Sequence, residues 1–184
     1  MTDFPIHDSR TAPHQSKPLL EAARQKNGFV PNLLGVMAGS PALLGAYVAV
    51  SEQFERSRFS PTERQVVLLS ASHENGCGYC VAAHSRIAER AKVPSAVIGA
   101  LRSGQQIPDA KLEALRRFAR TVVARRSRPD DPDIEAFFEA GYDRGHVLDV
   151  LAGIGMKTLS NYANHIASIP LDAAFESKRW KEAS

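Results

Sequence analysis

The sequence predicts an all-α fold. Apolar residues recur at helical spacing in nearly every segment after residue 15, and no segment alternates cleanly like a strand. Ser-Pro pairs and Asn-Gly pairs punctuate the pattern as helix starts and stops.

Residues 1–15 carry Pro5 and Pro13 among scattered polar residues and read as an irregular arm, ahead of a single all-α domain over 16–184. A first short helix covers 16–26 and stops at Asn27-Gly28; a second covers 31–38. Ser40-Pro41 opens a third running to about residue 57, with serine as N-cap and proline at the first helical position. Ser60-Pro61-Thr62-Glu63 repeats that signal with Glu63 at the capping-box position. The helix it opens, through Val66, Val67, Leu68, Leu69 and Ala71, is apolar on most sides and belongs at the centre of the core. Asn75-Gly76 ends it, and a new helix starts at Cys77 and runs to about Ala91. Further helices are expected over 94–102, 109–126, 132–140 and 143–153, with a last pair over 160–177.

A faint internal repeat accompanies this pattern. The segments 65–84 and 146–165 have equal length and similar apolar positions, with Val66-Val67 facing Val147-Leu148 and His84 facing His165. Thr158 and Asn161 stand where the first segment has cysteines, as expected of a duplicated helical pair with one chemically active copy.

Bulk properties set limits. At 184 residues the chain suits one domain with a substantial core. A hydrophobic content of 43%, a charged content of 23% and a formal charge of +3 give no ground for disorder, nor for a nucleic-acid or membrane partner. Met1-Thr2-Asp3-Phe4-Pro5 lacks the charged start and apolar core of a signal peptide, and no apolar run nears the roughly 20 residues of a membrane span. A cytoplasmic location is expected, where a close cysteine pair is catalytic or metal-binding more often than a structural staple.

That pair is Cys77-Gly-Tyr-Cys80, followed by His84. Residues three apart on a helix have Cα atoms roughly 5 Å apart, within the span of about 4.4 to 6.8 Å that a disulfide tolerates. Asn75-Gly76 puts both cysteines in a first helical turn, where free N–H groups and the macrodipole favour a thiolate. His84, four residues after Cys80, shares its face, and helical side chains lean towards the N-terminus, so the ring should approach the Cys80 sulfur. The implied order is His84 as base, Cys80 as nucleophile and Cys77 as resolving thiol. The dipole taken alone favours Cys77 as the attacking thiol; proximity to His84 favours Cys80, which is expected to be the nucleophile.

In such a cycle a peroxide oxidises Cys80 to a sulfenic acid, Cys77 condenses with it to a disulfide, and an external dithiol reduces that disulfide. Zinc is the main competing reading. Along one helix Cys77 and His84 are separated by roughly 10 Å of rise, whereas two ligands of one zinc lie within about 4.5 Å of each other. One helix cannot supply all three ligands, and no second cysteine pair exists. Two inert buried thiols beside a surface histidine form the other alternative, which leaves the glycine-framed helix start unexplained.

The stretch from Ser60 to Gln65 and on through Asn75-Gly76-Cys77-Gly78-Tyr79-Cys80-Val81-Ala82-Ala83-His84 resembles the carboxymuconolactone decarboxylase superfamily, and within it the alkylhydroperoxidase D-like, peroxidase-related branch. Gly28-Phe29-Val30-Pro31-Asn32-Leu33 and Leu159-Ser160-Asn161-Tyr162-Ala163-Asn164-His165-Ile166 extend the likeness over most of the chain. The resemblance implies a helical bundle, assembly into trimers or hexamers, and thiol peroxidase activity without metal, haem or other cofactor. It further implies a dithiol, lipoyl or thioredoxin-like reductant, with Cys80 peroxidatic, Cys77 resolving and His84 a proton relay.

Two departures stand out. The family's relay glutamate falls at Gln65, which can hold His84 or a water but is no base at neutral pH. Glu63 and Glu74 are candidate stand-ins, each otherwise an ordinary cap or surface acid. Tyr79 replaces a histidine between the cysteines; it can donate to a peroxide or pack at a subunit contact. The paired cysteines argue against a decarboxylase-type lyase, while a redox sensor without turnover and a thiol-disulfide exchange protein remain as alternatives. The arginines at 116, 117, 120, 125, 126 and 128 read as a solvated or intersubunit face without base-stacking aromatics. His73 is a cap or surface residue that can also reach the site, and His146 and His165 read as packed polar residues or remnants of the repeat.

Overall fold

The computed structural model of the chain describes residues 4–181, which form helices and no strand. The α-helices are α1 (Lys17–Asn27), α2 (Asn32–Met37), α3 (Pro41–Glu55), α4 (Pro61–Glu74), α5 (Gly78–Arg90), α6 (Ser95–Ser103), α7 (Ala110–Ala124), α8 (Asp131–Glu139) and α9 (Arg144–Ala167). Short 3-10 turns cover His14–Ser16 and Ala173–Lys178. The fold class is therefore as expected, and the start signals act as the sequence suggests. Ser40 accepts from the Leu43 N–H, and Ser60 and Glu63 close a capping box.

Helix α4 is the central element. Every residue from Gln65 to Ser72 is buried, because α5, α7 and α9 pack around it. On one side lies a core of Phe54, Phe59, Val67, Leu69, Leu115, Phe118 and Phe137, with Phe118, Phe137 and Tyr142 stacked ring on ring. On the other, Leu20, Leu33, Met37 and Leu44 from α1–α3 form a second core that includes both cysteines. The site is thus built at the seam between the two. Residues 4–13 are irregular and dock on α2, where the His7 N–H donates to the Gly35 carbonyl at 3.1 Å.

The C-terminal third departs from expectation. Sequence spacing broke 143–177 after Gly153, but α9 is continuous through Gly153 and Gly155. Gly153 is a packing requirement rather than a stop: a Cβ there would sit 2.8 Å from the Phe54 ring and from Val67. The chain then turns at Ser168, in the left-handed region, and returns across α5 through Asp172, Phe175 and Trp180. The proposed repeat fails as a helical pair, since 65–84 is broken at Asn75-Gly76 and 146–165 lies within one helix. No helix of the described residues is long and apolar enough to cross a membrane.

Candidate active site

The cysteines are set by the turn between α4 and α5. Gly76 takes the left-handed conformation (φ 62°), and the Cys77 N–H bonds back to the Ser72 carbonyl at 2.9 Å, closing a Schellman-type stop. The Asn75 amide donates to Asn161 Oδ1 on α9 at 2.9 Å, tying the turn to that helix. Cys77 becomes the N-cap of α5 and Cys80 falls in its first turn. Gly78 between them is obligatory, because a Cβ there would lie 2.9 Å from the Trp180 carbonyl oxygen.

Both cysteines are free and buried. A cavity of about 490 Å³ opens beside α5, with walls from α1, α2, α3, α4 and α9. Cys80 lines it and Cys77 does not. Cys77 sits at the N-cap three residues before Cys80, and the Asn164 amide reaches Cys77 Sγ at 3.5 Å. The neighbouring Cys77 thiol, as a hydrogen-bond donor, holds the Cys80 pKa well below the usual range against the opposing effect of burial. The Lys157 cation and the Ser160 and Asn161 side chains add to it. The interaction with Cys80, together with burial, pushes the Cys77 thiol well up. The pair is therefore asymmetric: the sulfur favoured as thiolate lines the cavity, and the one favoured as thiol does not.

His84 is buried, and its ring is not bonded to Cys80 as the spacing suggested. Nδ1 lies 3.1 Å from Gln65 Oε1, and Nε2 lies 3.0 Å from Lys157 Nζ. A glutamine carbonyl only accepts, so Nδ1 carries the proton and Nε2 accepts from the Lys157 ammonium. Burial, and then the neighbouring Lys157 charge, keep the imidazole well below its ordinary pKa, hence neutral at pH 7. The i,i+4 expectation fails because α4 and α9 each present a better polar partner than the sulfur.

Other expected residues lie elsewhere. Glu63 closes the α4 capping box and accepts from Tyr142 Oη at 3.0 Å. Glu74 pairs with Arg120 of α7 at 2.7 Å. Neither acid lines the cavity, so neither stands in for the relay glutamate. Tyr79 lines it but is only 7% exposed, and its hydroxyl donates to Asp172 Oδ2 and accepts from the Leu33 N–H at 3.3 Å. The Tyr79 hydroxyl is thus a tie within the chain, neither a subunit contact nor a free donor. His73 packs on Trp180, away from the cavity. His146 caps α9 with Asp143, and His165 is exposed. In the basic stretch, Arg116 pairs with Glu113, Arg120 with Glu74, and Arg125 with Asp130 and Asp133.

Lys157, Asn161, Ser160 and Tyr47 escaped sequence reasoning as site residues. Lys157 is 1% exposed and forms no ion pair with a carboxylate among the described residues. A lysine in an apolar stretch of a helix 73 residues from His84 carries no local signal. Among the described residues no group of three or more His, Cys, Asp or Glu is arranged to hold a metal.

Residues 41–121 match the model of the carboxymuconolactone decarboxylase family. Among solved structures, the chain is similar to the alkylhydroperoxidase AhpD core of an uncharacterized peroxidase-related protein from Ralstonia eutropha JMP134. That match has a TM-score of 0.81 and 24% identity, over 94% of this chain and 93% of that one. An uncharacterized peroxidase-related protein from Silicibacter sp. TM1040 gives 0.81 and 21%, over 96% and 93%. A variant of the debrominase Bmp8 in complex with 2,3,4-tribromopyrrole gives 0.80 and 21%, over 97% and 95%. At these identities the likeness shows the shared fold. No curated protein matches the sequence.

Proposed function

We propose that this chain, whose residues 41–121 match the carboxymuconolactone decarboxylase family model and whose fold is that of the alkylhydroperoxidase AhpD core, is a thiol-dependent peroxidase cycling through a Cys77–Cys80 disulfide. One observation carries this reading: of two buried thiols three residues apart at the start of α5, Cys80 lines the cavity and Cys77, the N-cap, does not.

The chemistry follows from that order. Cys80 thiolate attacks one peroxide oxygen, the O–O bond breaks, and the alkoxide leaves and takes up a proton as alcohol. Cys80 is now a sulfenic acid. The Cys77 sulfur attacks it, and hydroxide leaves with the thiol proton as water, closing the disulfide. An external dithiol, lipoyl or thioredoxin-like reductant returns both thiols by exchange. No other cofactor is required. The α9 face of Leu148, Leu151, Tyr162 and Ile166, all exposed, supports assembly with further copies of this chain, a trimer or hexamer in this reading. A cytoplasmic setting, with its reducing partners, suits the cycle.

A second reading uses the same two electrons. Phe29, Tyr47 and Phe54 line a cavity larger than a small peroxide needs, which favours an aromatic substrate. Reductive debromination would move bromine from ring carbon to the Cys80 sulfur while the carbon takes a proton; Cys77 would then displace bromide and close the disulfide. The deciding experiment supplies excess dithiol with an organic hydroperoxide in one arm and a brominated aromatic in the other. Peroxide consumption over many cycles supports the peroxidase; bromide release supports the second reading. Consumption that stops at one equivalent identifies a sensor.

A further inference from the structure

Neither nitrogen of His84 is available to Cys80: Nδ1 is spent on Gln65 and Nε2 on Lys157. A neutral imidazole whose only proton points at a glutamine carbonyl cannot take the Cys80 proton. Another group must supply the positive charge opposite the thiolate and exchange its proton.

Of the charged groups that line the cavity, which also include Lys26, Glu52, Glu55, Arg86 and Arg90, only Lys157 is among the groups that shift Cys80. From α3, Tyr47 lines the cavity, but burial, with the Cys80 charge adding, pushes its hydroxyl up, so it holds its proton. On α5, Tyr79 donates to Asp172, and Cys77 is a thiol already committed to Cys80. From α4, Arg64 lines the same wall with its guanidinium bonded to the Phe59 carbonyl. From α9 comes Lys157, buried and lining the same cavity as Cys80, whose thiolate its charge favours, with its Nζ 3.0 Å from His84 Nε2.

We propose that Lys157, held by His84, is the cation paired with Cys80 and the group that exchanges its proton. In the resting site the balance is Cys80–SH plus Lys157–NH₂ giving Cys80–S⁻ plus Lys157–NH₃⁺. Resting on the peroxidase reading, the same ammonium then delivers its proton to the departing alkoxide, so thiolate, hydroperoxide and ammonium become sulfenic acid, alcohol and amine. When an external dithiol reduces the disulfide, its two protons restore the Cys77 thiol and the Lys157 ammonium, and the cycle closes. A buried lysine without a carboxylate is costly; a thiolate partner offsets that cost. Gln65 has its part here, because a neutral acceptor at Nδ1 leaves Lys157 no competing carboxylate.

The test is the pH dependence of Cys80 alkylation in the full-length protein, located by mass spectrometry and needing no peroxide. Lys157→Met should raise the alkylation midpoint by at least about one pH unit, an approximately tenfold slower reaction below it. Lys157→Arg keeps the charge and should keep the low midpoint. His84→Gln still offers Lys157 an acceptor and should leave the midpoint near wild type. In the peroxide arm, kcat/KM of Lys157→Met should fall at neutral pH and partly recover as the pH rises; a merely structural defect would lower it at every pH. A midpoint unmoved by Lys157→Met, or raised as far by His84→Gln, overturns the assignment. A shift in Lys157→Met without any wild-type peroxide turnover upholds it and defeats the peroxidase reading instead.

Discussion

Gln65 Oε1 lies 3.1 Å from Nδ1 of His84, inside a site where both side chains are buried. That contact fixes the tautomer of the histidine, and Lys157 at Nε2 occupies the nitrogen that could otherwise act as a base towards Cys80. Replacing Gln65 by Leu strands a buried N–H and should cost about 1–3 kcal/mol of stability, read as a lower denaturation midpoint. Gln65→Glu should instead raise the His84 pKa, because a carboxylate at Nδ1 favours imidazolium; histidine ring signals titrating by NMR would report it.

Stability should depend on pH in a direction the site dictates. His84 has a lowered pKa, so below its ordinary value of about 6.5 the unfolded chain binds a proton that the native chain refuses. Cys80, also lowered, is ionised in the native state while the unfolded thiol keeps its proton up to about 8.5. In both cases the unfolded state holds more protons, so stability rises with pH through the acid and neutral range. Cys77 works the opposite way above about 8.5, where its raised pKa keeps a proton that the unfolded chain has lost. Denaturant midpoints from pH 5 to 10 should therefore climb and then turn over, and the acid limb should flatten in His84→Gln.

Tyr79→Phe removes the hydroxyl that donates to Asp172, leaving that buried carboxylate with the Asn32 N–H at 3.0 Å. A loss of about 1.5–3 kcal/mol is expected for a hydrogen bond to a charged group. Turnover per folded molecule and the Cys80 alkylation profile should stay near wild type, because the hydroxyl serves the C-terminal return rather than the sulfur. A variant with ordinary stability and lost turnover would give Tyr79 a chemical part.

Glu63→Gln and Glu74→Gln should leave peroxidase turnover within about twofold of wild type. The first weakens the α4 capping box, and the second breaks a partly exposed ion pair worth less than about 1 kcal/mol. A tenfold or larger loss of turnover in either would mean that an acid reaches the site after all.

The sequence carried what local chemistry can encode. Capping at Ser40 and Ser60, the stop at Asn75-Gly76 and the burial of 65–72 are all written in residues within a turn or two of where they act. Long-range packing was not legible. Gly153 looks like a helix stop until Phe54 and Val67 are seen pressing on it. His84 looks aimed at Cys80 until α9 brings Lys157, and α4 brings Gln65, to its two nitrogens. Asn161, read as the place of a lost cysteine, instead acts on Cys80 and holds the Asn75 turn. Each miss is a contact between helices far apart in the chain, for which side-chain spacing along one helix holds no information.

The most direct measurement treats Cys77→Ser and Cys80→Ser with one equivalent of an organic hydroperoxide and maps the added oxygen by mass spectrometry. Cys77→Ser should gain one oxygen on Cys80 and stall as a sulfenic acid, while Cys80→Ser should remain unoxidised over the same interval. Oxygen trapped on Cys77 in Cys80→Ser, with Cys80 inert in the other variant, would reverse the two thiols and refute the cavity-facing thiolate as the attacking group.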